Sequence, residues 1–439
     1  MSGKYWIVKA MSAIKEVHAR EVFDIKNLPA VEVEVLLDDG SEGKAIAPSG
    51  TSRGSNESCD LRDGDKKYFY GMGVSKAIYN VNTLIAKKLR GEDSTDQEHI
   101  DDLMIELDGT EDKSKLGGNA IIASSIANVK AAAESLGVPL FEHLGAGKVM
   151  PIAWFLVMVG GPIYAGEKVK TSDIQEFAYY DIRSKSFREG YETTLYVYRK
   201  LREILEKKKG YALPRLGGGW LAPVFSSNDE ALSVATDAIE KAGFMPGKDF
   251  VIYIDVAATH LYKEGKYHLS ADNRILSSEE MVNFLEDVRS KYPVISMEDC
   301  LSEEDWEGWK LITERLGNRT QLVGDDLFTT NPQRLKKGIE MDVANAIIIK
   351  PNQIGTLSET IQTIKIAKAA GYGTMPSARS GEIGDPFLSH LIVGQSLGQG
   401  KLAWCDGDDH IRFNELLRIE EQLGNKGRYI GREVLSRFL

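Results

Sequence analysis

Four short apolar runs in this chain each stop on a charged residue: Val251-Ile-Tyr-Ile-Asp255, Val294-Ile-Ser-Met-Glu298, Leu322-Val-Gly-Asp325 and Ala346-Ile-Ile-Ile-Lys350. Their terminal charges are 43, 27 and 25 residues apart, counted from 255 to 298, 325 and 350. Runs of this length read as strands buried on both faces, and helical patterns fill the intervals. Such a βα repeat implies a parallel sheet. The part of the chain that carries it, about 290 residues, has the length of a closed (β/α)8 TIM barrel. Residues at the C-terminal ends of barrel strands share one mouth, so Asp255, Glu298, Asp325 and Lys350 are expected to converge there.

Three carboxylates in one mouth repel unless a hard cation neutralises them, and oxygen ligands with room for water suit Mg²⁺. Any one of these charges could be a surface residue closing a strand. Recurrence in successive units weighs against that reading. Lys350 precedes Pro351, which holds it extended, as a strand end requires. An amine beside a divalent cation loses affinity for its proton and becomes a candidate base. Removing a proton next to a carboxylate makes a dianionic enolate, which metal ions on the carboxylate oxygens make tolerable.

The first third is patterned differently. Residues 15–47 alternate as strands around the turn Asp38-Asp-Gly-Ser-Glu-Gly43, and residues 48–55 form a Gly/Ser-rich loop expected to be exposed and mobile. Helices are expected over 74–89, 96–107 and 118–136, the last rich in alanine. At 439 residues two domains are the sensible prior.

Charge and composition exclude some functions. A net charge of −11 argues against nucleic acid or anionic membrane as partners. Local cations still leave room for a phosphorylated substrate. No run of apolar residues is long enough for a membrane span, and the N-terminal stretch lacks a signal-peptide core, so a cytoplasmic protein is expected. Cys59, Cys300 and Cys405 have no CxxC spacing, which suggests neither a disulfide framework nor a zinc cluster.

The chain resembles the enolase family, the glycolytic 2-phosphoglycerate dehydratases, over nearly its whole length. The resemblance is carried by Leu107-Asp-Gly-Thr110, Lys113-Ser-Lys-Leu-Gly117, Gln175-Glu-Phe177, Ser296-Met-Glu-Asp299, Gly324-Asp-Asp-Leu327, Lys350-Pro-Asn-Gln-Ile-Gly-Thr-Leu-Ser-Glu359, Arg379-Ser-Gly-Glu382 and Leu416-Leu-Arg-Ile-Glu-Glu421, in family order. It implies an N-terminal α+β capping domain over 1–140, an enolase-type barrel over 141–427 and a tail over 428–439. It also implies that Asp255, Glu298 and Asp325 ligate a first Mg²⁺ and that Lys350 is the α-proton base. Ser52 would close over the substrate and ligate a second Mg²⁺. Arg379 and Ser380 would bind phosphate, and Lys401 the substrate carboxylate. Glu176, with Gln175 beside it, would stand near the leaving hydroxyl, and Arg418 would be structural. The implied partners are a small phosphorylated carboxylate and a second copy of the chain in a homodimer.

Three departures stand out. The family's G-D-E-G-G segment becomes Leu216-Gly-Gly-Gly-Trp220, which puts Gly218 in place of the general acid and Gly217 in place of its neighbour. The histidine of S-H-R-S becomes Ala378, and a third histidine becomes Tyr164. Arg53 also replaces the loop threonine. Losing a positioned acid costs about 10² to 10⁴ in rate. The expectation is therefore a Mg²⁺-dependent carbon-oxygen lyase that removes the α-proton of a phosphorylated or phosphonylated acid such as 2-phosphoglycerate, with altered leaving-group chemistry. The alternatives are ordinary 2-phosphoglycerate dehydration, with Glu176 or water supplying the proton, and a non-catalytic binding protein; His260, five residues beyond Asp255, is a lone loop histidine of a kind more often structural than catalytic.

Overall fold

Strand β2 (Pro29–Leu37) alternates from Val31 onward, with Val31, Val33, Val35 and Leu37 buried. Its outward Glu32 and Glu34 are bridged by Arg20 at 2.5 and 2.8 Å. It is the central strand of an antiparallel meander between β1 (Ile14–Phe23) and β3 (Glu42–Ile46). The computed structural model describes residues 12–165, 171–209, 215–216, 220–404 and 410–439.

The meander lies on helix α2 (Gly118–Leu136), which follows α1 (Gln97–Asp108). Ala120, Ala123, Ala127 and Ala131 are all fully buried at helical spacing, so the sheet approaches closely. At Gly43 a Cβ would lie 2.0 Å from the Ala127 carbonyl oxygen. Residues 75–89 are helical as expected, interrupted by a π turn at Val81–Ile85. Asn82 in that turn exchanges hydrogen bonds with both backbone groups of Ala19, at 2.7 and 3.0 Å.

The barrel strands are β4 (Ile152–Val159), β5 (Glu176–Asp181), β6 (Phe250–Asp255), β7 (Val294–Glu298), β8 (Gln321–Gly324), β9 (Ala346–Ile349), β10 (Gly373–Pro376) and β11 (Gln399–Trp404). They form one eight-stranded sheet in the order β10-β9-β8-β7-β6-β5-β4-β11, and parallel bridges at Thr374–Gly398 and Ser377–Lys401 join its two ends. The outer layer includes α3 (Phe187–Lys209), α4 (Asn228–Lys241), α5 (Ser278–Lys291), α6 (Trp306–Leu316), α7 (Pro332–Glu340), α8 (Leu357–Ala369), α9 (Phe387–Gly394) and α10 (His410–Leu423). The ends are set locally: Ser277 and Glu280 form a reciprocal capping box at α5, and Asn331 caps α7 ahead of Pro332. No helix among the described residues is long and apolar enough to cross a membrane.

One expectation is corrected. The barrel sheet is not wholly parallel: β5 runs antiparallel to both β4 and β6. Among the described residues between Val159 and Glu176 the only helix is Gly161–Ala165, too short to carry the chain back across the sheet.

Period-2 geometry fills the barrel interior. Trp154, Tyr180, Tyr253, Val323, Ile348 and Met375 belong to one buried cluster, with Trp154 5.7 Å from the ring of Tyr180 and 5.5 Å from that of Tyr253. Leu435 and Phe438 of the C-terminal segment join the same cluster. They enter from the end opposite the mouth, where Arg428–Tyr429 pairs with Val149–Met150 just ahead of β4. The capping domain docks through buried polar contacts: Asp101 accepts from the Ser358 N–H at 2.9 Å and its hydroxyl at 2.6 Å, and Lys113 meets Glu359 at 3.0 Å.

Candidate active site

Inward direction at the strand ends follows from the same alternation. Tyr253, Val323 and Ile348 point into the barrel, so Asp255, Asp325 and Lys350, two positions later, point into its mouth. Strand β7 needs a correction to arrive in phase. Val294 pairs with Ile252 but Ser296 pairs with Tyr253, and this one-residue irregularity brings Glu298 level with Asp255. Reversal of β5 has a parallel effect, because its first residue, Glu176, becomes the register partner of Asp255 at the mouth.

The expected charges meet around two lysines. Lys401 Nζ lies 2.7 Å from Glu176 Oε2, 3.2 Å from Asp255 Oδ2 and 2.9 Å from Glu298 Oε1. It also stands 5.3 Å from the centre of the Tyr253 ring. Lys350 Nζ pairs with Asp325 Oδ2, while Gln353 donates to the other Asp325 oxygen at 2.8 Å. Gln175 donates to Asp255 at 3.4 Å, and its amide oxygen is buried with no partner among the described residues.

Burial pushes the Glu298 carboxyl up to about 7, with Lys401 opposing and neighbouring carboxylates adding to the rise. Asp255 rises for the same reason, to about 6. For Lys350, burial disfavours the ammonium, but the Asp325 carboxylate outweighs it and the pKa is raised. Asp325 is correspondingly lowered: Lys350 overcomes the burial effect.

The residues fit a hard divalent cation. The donors are carboxylate oxygens, and two ammonium groups occupy the charge-neutralising positions among them. Asp299, Asp325 and Asp326 also offer oxygens within 4.8 Å of one another. Asp299 uses both of its oxygens to accept the N–H groups of Asp325 and Asp326, at 2.9 and 3.0 Å, and so holds that turn in place. Sequence reasoning stopped at the first acid of Glu298-Asp299 and of Asp325-Asp326. The doublets themselves were the available signal.

The loop expected to be mobile is anchored, although Thr51, Arg53 and Ser55 are exposed. Ser49 and Gly381 exchange backbone hydrogen bonds at 3.1 and 2.8 Å, Thr51 N–H donates to Ser380 Oγ at 2.8 Å, and Ser55 Oγ donates to Glu303 at 2.8 Å. Arg379 Nη2 donates to the Ser52 carbonyl at 3.3 Å, and the guanidinium forks onto Glu57. A Cβ at Gly50 would lie 1.8 Å from Arg379 Nη2, so any side chain there would displace the guanidinium from its place under the strap. Glu57 was not among the expected site residues.

Beneath the strap is a cleft that Ser52, Lys350, Arg379, Ser380, Lys401 and Gln175 help to line. Tyr164 and Ala378 line it too, at the positions expected to depart from the family. Tyr164 hydrogen-bonds Glu176 and, through burial first, is held well above the ordinary phenol range. His260 does not line the cleft: it sits in the turn Ala258–Leu261, and its pKa is lowered by burial. Arg418 is largely exposed and pairs with Glu415 at 2.7 Å. Gly217 and Gly218 lie outside the described residues, as does Cys405.

Comparison with known families gives two matches. Residues 14–144 match the family described as "Enolase, N-terminal domain", and residues 147–438 match "Enolase, C-terminal TIM barrel domain".

Proposed function

The chain belongs to the enolase family, and from that premise we propose that it is a Mg²⁺-dependent lyase that removes the α-proton of a small carboxylate phosphorylated, or phosphonylated, at the α-position. The observation that carries the reading is the buried Lys350–Asp325 pair at the mouth, one strand from Glu298 and two from Asp255. A family assignment alone would not assign chemistry, but this arrangement supplies a base beside an oxygen-donor cluster.

Arg379, fixed by Glu57 and roofed by the strap, presents a buried guanidinium to a phosphoryl group. Lys401 carries the fixed charge for the substrate carboxylate. Lys350 receives the proton, and the strap over Arg379 limits access of water to the carbanion. Asp255, Glu298 and Asp325 would hold Mg²⁺, which would supply positive charge to the enolate, and ligation by Asp325 would weaken its ion-pair support for the Lys350 ammonium. Glu176 and Tyr164, hydrogen-bonded together beside Lys401, pass the proton that position 218, a glycine with no side chain, does not supply.

Incubation with Mg²⁺ and phosphorylated three-carbon acids in D₂O tests this directly. Deuterium should enter the α-carbon in a Mg²⁺-dependent way. No uptake from any such acid would overturn the reading.

A further inference from the structure

Glu57 is shared by two guanidinium groups. Arg379, which lines the cleft, forks onto both of its oxygens, and Arg53, which does not line the cleft, brings Nε to 3.6 Å from Oε2. The local backbone sets up this meeting. Glu57 N–H donates to the Gly54 carbonyl at 3.3 Å and Glu57 Oε1 accepts the Gly54 N–H at 3.2 Å, so residues 54–57 form a closed turn with Arg53 at its start. Arg53 Nη2 donates to the Ser58 carbonyl at 2.9 Å, which fixes the side chain across that turn. The guanidinium lines a separate polar depression with Ser58, Asp60 and Asn119.

A lone Glu57–Arg379 pair is neutral and presents little net charge to an anion. Nearby acids add repulsion: Glu303 accepts from Ser55 Oγ at 2.8 Å, and a Cβ at Gly54 would lie 3.2 Å from Asp326 Oδ1. Arg53 turns the pair into a triad with one positive charge in excess. Its side chain is 37% exposed, so solvent screens its field without cancelling it.

We infer that Arg53 is a positioning residue that acts through Glu57 and sets the charge of the phosphoryl subsite at Arg379, so that this subsite takes a dianion in preference to a monoanion of the same shape. Attraction to an added positive charge scales with the charge of the anion, so Arg53 contributes about twice as much free energy to holding a dianion as to holding a monoanion. The inference rests on the phosphoryl role proposed for Arg379 and names the charge state of the group bound there.

The test is calorimetric titration of the full chain, with Mg²⁺ present at about pH 8, by two isosteric esters. Methyl phosphate is a dianion there, because its second pKa is about 6, and methyl sulfate is a monoanion. Arg53→Gln removes the charge and keeps an amide donor for the Ser58 carbonyl. It should weaken methyl phosphate about tenfold and methyl sulfate about threefold, and Arg53→Lys should restore most of both losses. A purely structural role would weaken the two esters alike. Equal fold-losses, no loss for either ester, or no restoration by lysine would overturn the role of Arg53 and leave the Arg379 reading standing. Binding of neither ester by the unsubstituted protein would overturn both. The readout is binding, so none of these outcomes depends on α-proton exchange.

Discussion

Glu57 receives both terminal nitrogens of Arg379, each at 3.1 Å, where the strap of the capping domain crosses the barrel mouth. Neither side chain is more than 3% exposed. Deleting one partner of such a pair strands a buried charge, at a cost of about 3 to 5 kcal/mol. Glu57→Ala should therefore lower the unfolding free energy by about 3 kcal/mol in urea titrations, and Glu57→Gln, which keeps one acceptor, by less. An unchanged midpoint for both variants would show that the fork is not held in solution.

Lys350 is expected to carry the chemistry and little of the metal affinity. Lys350→Met keeps the length of the stem and removes the amine, so α-deuterium uptake should fall by about 10² or more. Calorimetric Mg²⁺ titration of the same variant should still show binding, because the carboxylate ligands remain. Retained exchange would move the base elsewhere in the mouth.

The acid cluster sets a pH dependence with a definite sign. Glu298 is pushed up to about 7 and Asp255 to about 6, so both are partly protonated near neutrality when no metal is bound. A carboxylate whose folded pKa is raised stabilises the metal-free fold most in acid, and that contribution is lost as pH rises through the folded value. Metal ligation needs the deprotonated form and releases protons. The rise in Tm produced by Mg²⁺ should therefore be larger at about pH 8 than at about pH 5.5. Equal shifts at the two values would contradict the assigned ligands.

The sequence showed where the barrel strands end far better than how the mouth is assembled. Runs such as Ala346 to Lys350 and Val251 to Asp255 announce their own inward-facing ends, because apolar alternation and the terminal charge share one period. Glu176 gave no such signal: reaching the mouth from the start of a strand requires β5 to be reversed, and that direction is fixed by its pairing with β4 and β6. Nor does composition reveal that Lys401 lies among three carboxylates, because β11 meets β5 and β6 only after the sheet has curled into a ring. The anchoring of the strap was not legible for a related reason. Its Gly and Ser residues have no apolar period, but its anchors, Gly381, Ser380 and Glu303, lie more than 240 positions away in the chain.

Phe438 and Leu435 close the barrel at the end away from the mouth, with Phe438 8% exposed and Leu435 fully buried among interior side chains such as Ile152 and Tyr180. The Phe438 carbonyl accepts from Arg289 at 3.4 Å, which ties the segment to the outer helical layer as well. Truncating a buried phenyl or isobutyl group costs both the transfer free energy and the cavity it leaves, so Phe438→Ala and Leu435→Ala should each destabilise by about 2 to 5 kcal/mol. Both lie on the stability face of the barrel, so α-deuterium uptake measured well below the lowered Tm should stay close to that of the unsubstituted protein. Thermal melts paired with exchange rates on the same preparations separate the two effects. A variant that kept its Tm and lost exchange would place the C-terminal segment in contact with the chemistry, contrary to the geometry of the plug.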